Sequence, residues 1–208
     1  MQLISLPVSP FAARVRIAIY AKNLNVTLAP PPSGWPRVWD RTLGPIGRVP
    51  VLICDDGIIP ESQVILEYLE EQFRDRWPLL PERANDRARV RLLSRVVDLY
   101  LMPPIVSLAD TRGRPSAAEA VLDALRILDD MVGANRYANG EALSLGDCAL
   151  VPALFAARVT GKRHGFDMFA DHENLRRYFA TVEQHDAAGR VLREMQQGLQ
   201  QIEGASSN

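Results

Sequence analysis

The sequence predicts a small α/β domain followed by an all-helical one, and three observations carry that reading. Over about the first third of the chain, short apolar runs of strand character alternate with helical patterns. From about residue 76 onward every periodic segment is helical. Between the two lies "WPLLPERAND", residues 77–86, whose two prolines and mixed polarity read as a linker. The expected organisation is a first domain over residues 1–76, a linker over 77–86 and a helical domain over 87–208. A chain of 208 residues, 47% hydrophobic and 24% charged, is long enough to bury a sizeable core.

Taken in order, residues 2–6 read as a strand that breaks at Ser9-Pro10. The helix behind the break sets Phe11, Val15, Ala18 and Ile19 on one face. A second strand fits residues 25–29. Pro30, Pro31, Pro32 and Pro36, with Gly34, Trp35 and Trp39, then make a loop or a short irregular helix. The run "GRVPVLICDDGIIPES" reads as two short strands around Asp55-Asp56-Gly57, a strong hairpin signal. Ser62, Ile65, Leu66, Leu69 and Phe73 then recur at helical spacing, with Glu67, Glu70 and Glu71 outside the stripe. In the second part, residues 87–110 form one long helical pattern expected to kink or break at Pro103-Pro104, where two backbone donors are missing. Further helices fit 116–132, 144–159, 173–184 and 187–200, and the closing "GASSN" is expected to fray.

A formal net charge of −1 supplies no long-range field to gather nucleic acid or an anionic membrane, so neither is an expected partner and binding must rest on local sites. The first basic residue is Arg14, which leaves no basic region ahead of an apolar leader, and no apolar run reaches the length of a membrane span. Cys54 and Cys148 lie far apart without a CxxC pair, against a disulfide scaffold, a structural zinc site or a dithiol centre. A reducing cytoplasm is the expected location. His164, His172 and His185 are spaced as no ligand set on one helix would be, and no metal is expected. Cys54 and Cys148 are read as core residues.

Four positions in the first part are candidates for chemistry. Ser9 before Pro10 is a preferred helix cap, but a hydroxyl at a helix N-terminus also helps to hold an anion. Val49-Pro50 is either an edge-strand proline or a cis bond that presents the Val49 backbone to an extended peptide. Glu61-Ser62 opens a helix just after a strand, either as its cap or as a pair that takes a carboxylate at Ser62 and an ammonium at Glu61. Arg48 is a solvated charge or the partner of a second carboxylate. One ammonium, two carboxylates and an extended backbone would satisfy all four, and glutathione has that outline.

These segments resemble the cytosolic glutathione S-transferases. "SPFAARVRIA" is similar to the thiol-site segment of the serine-type members, "PIGRVPVL" to the loop and cis-proline strand, and "IIPES" to the turn that binds the γ-glutamyl group. "LSLGDCALVP" resembles the capping box of the buried helix in the helical domain, where Ser144 would cap and Asp147 would reach back to the Ser144 N–H. The pattern is nearest to tau-, zeta- and omega-like members. The resemblance implies a thioredoxin-like first domain with a mixed four-stranded sheet, an all-α second domain and a homodimer. It also implies a detoxifying transferase that activates the glutathione thiolate for attack on a small apolar electrophile. A glutathione-dependent isomerase, an ether-cleaving enzyme or a non-catalytic binding protein of the same fold are the alternatives. Carried over by position, Ser9 holds the thiolate, Val49 with Pro50 pairs with the cysteinyl backbone, Arg48 meets the glycyl carboxylate, and Glu61 and Ser62 take the γ-glutamyl end. Phe11, Trp35, Tyr100 and Met102 are candidates for the electrophile pocket. The sequence departs from the family in having Gly44-Pro45-Ile46-Gly47 where Asn-Pro often precedes the loop glycine, and Pro60 where a small polar residue is common.

Overall fold

The computed structural model describes residues 1–36, 43–109 and 115–206; Trp39 lies outside them. In chain order the elements are β1 (Gln2–Ile4), α1 (Pro10–Ala21), β2 (Thr27–Ala29), β3 (Val51–Cys54), β4 (Gly57–Pro60), α2 (Ser62–Gln72) and α3 (Ala84–Val96). A π-helical turn (Val97–Leu101) then leads into α4 (Met102–Ala109), α5 (Pro115–Val132), α6 (Leu145–Arg163), α7 (Glu173–Glu183) and α8 (Asp186–Ser206).

The strands form one mixed sheet in the order β2-β1-β3-β4, with β1 parallel to β2 and antiparallel to β3, and β3 antiparallel to β4. Leu3 and Leu52 face each other across the central pair and are fully buried. Helices α1 and α2 pack against one another, and Ala12, Ala13, Val15 and Ile17 on one and Ile65, Leu66 and Leu69 on the other are all removed from solvent. Register decides where the connections emerge. Ile4 pairs with Val51 and Val51 with Pro60, so the segments that follow β1, precede β3 and follow β4 all leave from one end of the sheet.

Charge on α1 is buried rather than solvated. Arg14, Arg16 and Lys22 are all enclosed, where the one-faced apolar pattern alone would leave them in water. The Lys22 ammonium is 2.8 Å from a Glu70 carboxylate oxygen. It also donates to the carbonyls of Phe73 (3.2 Å), Arg76 (2.8 Å) and Trp77 (3.2 Å), tying α1 to the end of α2 and to the chain beyond it.

In the helical part, the expected break at Pro103-Pro104 takes the form of a widened turn just upstream. The chain stays helical, and Met102 donates to the Val97 carbonyl five residues back. Prolines 103 and 104 offer no N–H to the carbonyls four residues before them, and the π-helical turn covers those positions. The run Ala84–Ala109 reaches 26 residues, with a mean hydropathy of 1.4 in its most apolar stretch. By length and composition alone that run, which the sequence expectation passed over, is long and apolar enough for a membrane span, a test that core helices also meet; 44% of the stretch is buried. Helix α6 is enclosed from Leu145 to Phe155 and runs to Arg163, four residues past the expected end. Asp147 is fully buried and accepts from the Ser144 N–H (2.8 Å), the Ser144 hydroxyl (2.7 Å), the Ala138 N–H (2.8 Å) and the Tyr178 hydroxyl (2.9 Å). Burial pushes its carboxyl pKa up, and those four donors oppose the shift.

The chain divides into two compact units, one of Met1–Pro78 with Gly189–Asn208 and one of Leu79–Ala188. Helix α8 therefore belongs to the first unit from Gly189 onward, where sequence alone grouped the whole of 87–208 together.

Candidate functional site

The segment after β1 closes as a tight turn, with the Ser9 N–H donating to the Leu6 carbonyl at 3.2 Å. Ser9 is the N-cap of α1: its backbone is extended, Pro10 takes the first helical position, and its Oγ accepts from the Ala12 N–H at 3.3 Å. The first regular helical bond runs from Ala13 N–H to the Ser9 carbonyl at 2.9 Å. Capping uses the hydroxyl as an acceptor and leaves its single proton available for donation. The two sequence readings of Ser9 are thus compatible in one rotamer.

Val49-Pro50 is a cis peptide bond, as is Trp35-Pro36. Val49 is half-buried and stands two residues ahead of the β3 ladder, so its backbone polar groups lie outside the sheet pairing. Arg48 is exposed. Gly47, at φ +67°, makes the left-handed turn into it, and its carbonyl accepts from the Trp35 indole N–H at 3.1 Å. Trp35 also packs against the cluster of Ile4, Leu43 and Val51. It is held by loop and core and is not among the residues that line the pocket described below.

At the entry to α2, Glu61 occupies φ 67°, ψ 113°, a sparsely populated backbone conformation for a residue with a Cβ. Such a conformation costs on the order of 1–3 kcal/mol and persists where the surroundings impose it, often at a ligand site. No side chain caps α2, so its first-turn N–H groups are left for an outside acceptor. Ser62 is buried at the first helical position and Glu61 is exposed beside it. The simple cap reading of this pair does not hold.

Phe11, Ile46, Arg48, Val49, Pro50, Pro60, Glu61 and Ser62 line one pocket in the first unit. The sheet register is what gathers them, because it brings the starts of α1, β3 and α2 to the same end. Ser9 is absent from the lining but precedes Phe11 by two residues. The π-face of Phe11 is covered by the Arg14 guanidinium, 5.1 Å from the ring centroid. Ile46 and Pro60 escaped sequence reasoning as site residues, although both flank quoted motif positions and a search of those flanks would find them. Tyr100, exposed, and Met102, buried, belong to the second unit and do not line this pocket. Cys148 is buried as expected, whereas Cys54 is half-buried.

A β2-β1-β3-β4 mixed sheet with two helices, a cis-proline at the start of β3 and an uncapped helix at the same end is a thioredoxin-like domain; followed by a helical unit, it has the architecture of cytosolic glutathione-dependent transferases. The chain belongs to the glutathione S-transferase family: the N-terminal domain model of that family matches residues 3–77 and the C-terminal domain model residues 87–181. Among relatives, it is 33% identical to the probable glutathione S-transferase BZ2 of Zea mays, over 96% of this chain and 93% of that protein. Among solved structures, a tau-class glutathione S-transferase from Mangifera indica superposes with a TM-score of 0.85 at 23% identity, covering 97% of this chain and 96% of the other. A rice glutathione S-transferase, solved in complex with glutathione, superposes with a TM-score of 0.82 at 26% identity, covering 91% and 88%.

Proposed function

We propose that this protein is a glutathione transferase that binds glutathione in the first unit and directs its thiolate at a small apolar electrophile. The observation that carries the reading is the convergence, at one end of the sheet, of the cis Val49-Pro50 step, the uncapped start of α2 with Glu61 and Ser62, and the start of α1. Glu61 and Ser62 take the γ-glutamyl ammonium and carboxylate, the Val49 backbone pairs with the cysteinyl residue beside Pro50, and Arg48 meets the glycyl carboxylate. The Ser9 hydroxyl keeps its proton and donates a hydrogen bond to the thiolate sulfur. The thiol proton leaves to solvent, a sulfur–carbon bond forms, and the leaving group departs with its electron pair.

The magnitudes support this chemistry. Lowering a thiol from pKa ~8.5 by two units needs about 2.7 kcal/mol of preferential thiolate stabilisation. A hydrogen bond to a charged acceptor contributes about 1.5–3 kcal/mol and a helix terminus about 0.3–1 kcal/mol. A hydroxyl and a helix start are together sufficient. Calorimetry tests the binding step: the unmodified protein should bind glutathione below millimolar concentration, and Glu61→Ala and Ser62→Ala should each weaken it by a few kcal/mol by removing a partner from a desolvated charge. Millimolar or absent binding by the unmodified protein removes the reading.

A homodimer belongs to the same proposal. Ile58 and Val64 in the first unit and Leu92, Leu99, Tyr100 and Val106 in the second are large apolar side chains left exposed in the single chain, which supports their being covered by a second copy.

A further inference from the structure

Helix α8 reaches the turn that carries Ser9. Glu194 on α8 lies 3.2 Å from Arg16 Nη1, and Arg16 Nη2 donates to the Pro7 carbonyl at 2.6 Å. Pro7 and Val8 are the two middle residues of the turn closed by the Ser9 N–H and the Leu6 carbonyl. On their other flank is Gly198, one α8 turn beyond Glu194. A Cβ built there would lie 2.7 Å from Pro7 Cβ, closer than real side chains come, and 3.1 Å from Val8 Cγ1, a contact tight enough that the valine must give. Glu194 is itself held from two further sides, by the Tyr20 hydroxyl at 2.9 Å and by Arg190 Nε at 3.1 Å. The Arg190 guanidinium lies 3.8 Å from the Tyr20 ring centroid.

We propose that Arg16, Glu194 and Gly198 are positioning residues that clamp the Pro7-Val8 turn and thereby fix where the Ser9 hydroxyl points. In its catalytic consequence the inference rests on the transferase reading above; the clamp itself is a property of the free protein. Arg16 is 3% exposed, so its charge has little water to rely on. Burial lowers its pKa and Glu194 opposes that shift. Neutralising Glu194 therefore weakens the hold of Arg16 on both of its partners, including the Pro7 carbonyl. Gly198→Ala reaches the same turn by a separate route. Alanine favours the helix, so a purely helical role would leave the protein more stable, yet here the added methyl drives into the rigid Pro7 ring.

The test compares the full-length protein with Glu194→Gln, Gly198→Ala and a control, Val90→Ala, which thins the core of the second unit, whereas the turn belongs to the first. Amide exchange without ligand is read at Ser9, Ala12 and Ala13. Thiolate absorbance of bound glutathione is read against pH, together with kcat and KM. Glu194→Gln and Gly198→Ala should speed exchange at these three amides about tenfold, raise the apparent thiol pKa by about one unit and lower kcat about tenfold, with KM for glutathione nearly unchanged. Val90→Ala should lower stability and move none of these. Arg16→Lys should fall between, because one ammonium cannot reproduce the fork that spans Glu194 and Pro7. Unchanged exchange in both variants, or thiol titrations superimposable on that of the unmodified protein, overturns the proposal. Absence of any thiolate signal in the unmodified protein defeats the transferase reading instead, and the exchange measurement then decides the clamp alone.

Discussion

Ser9 has one hydroxyl, and its acceptor side is already engaged by the Ala12 N–H. A pure cap would require nothing more of it. The proton that remains would donate to a thiolate without disturbing the cap, so Ser9→Ala should have two separable effects. Loss of the cap should cost about 1 kcal/mol of stability, read as a shift in denaturation midpoint. Loss of the donor should raise the apparent thiol pKa of bound glutathione and slow conjugation of a generic electrophile about 10- to 100-fold, or ~1.4–2.7 kcal/mol. A lower midpoint with an unmoved pH–rate profile would leave Ser9 structural. The remaining first-turn donor would then be the Phe11 N–H, since that of Ala12 is used by the cap and Pro10 has none. The sequence showed which residue types stand at this break; it could not show that cap and donor are compatible, because that depends on which lone pair and which proton are engaged.

At the scale of elements, strands and helices were legible where apolar periodicity was strong, and their ends were not. Strand β1 stops at Ile4 and not at residue 6 because its neighbours β2 and β3 stop pairing with it there. The buried charges of α1 were illegible for a different reason. Lys22 looks like a solvated residue until the carbonyls at the end of α2 are seen around it. Lys22→Met should destabilise the protein by about 3–5 kcal/mol in urea titration, since it strips a buried carboxylate and three carbonyls of a shared cation; a loss below about 1 kcal/mol would mean water replaces it. Helix α8 begins with a similar device. His185 Nδ1 accepts from the Ala187 N–H at 3.2 Å, which requires the neutral ring. Burial is the main cause of its lowered pKa, with Arg136 adding to it and Asp186 and Asp147 opposing. A histidine whose folded pKa lies below its ordinary 6.5 supplies stability that is present above that value and is lost as pH falls through the folded one. Denaturation midpoints should therefore drop as pH falls below about 6.5, and His185→Asn, which keeps a capping acceptor without titrating, should flatten that slope.

For the whole molecule, the two-part order was legible because strand and helix periods differ, and the sheet register then gathered the motif segments as their sequence order implied. What stayed hidden was the return of α8 to the first unit. Glu194 and Gly198 carry no sequence signal, because a surface glutamate and a glycine in a polar helix gain their meaning only from the Arg16 and Pro7 they meet. The exposed apolar residues pose the remaining problem at this scale. Leu92, Leu99 and Val106 recur at seven-residue intervals along the run from α3 to α4, each more than half exposed, with Tyr100 beside them. Isolated apolar residues on a surface need no explanation, but a repeated series along one helical run has the character of an interface. A second copy of the chain is the occupant proposed for it, and charge selects against that stripe cleanly. Leu99→Glu with Val106→Glu would place two carboxylates in a desolvated interface without touching the glutathione pocket. Sedimentation equilibrium at micromolar concentration should give twice the chain mass for the unmodified protein and the single chain mass for the double variant, with glutathione affinity retained in calorimetry. An unmodified protein that sediments as a monomer at that concentration would refute the dimer and leave these residues without a role.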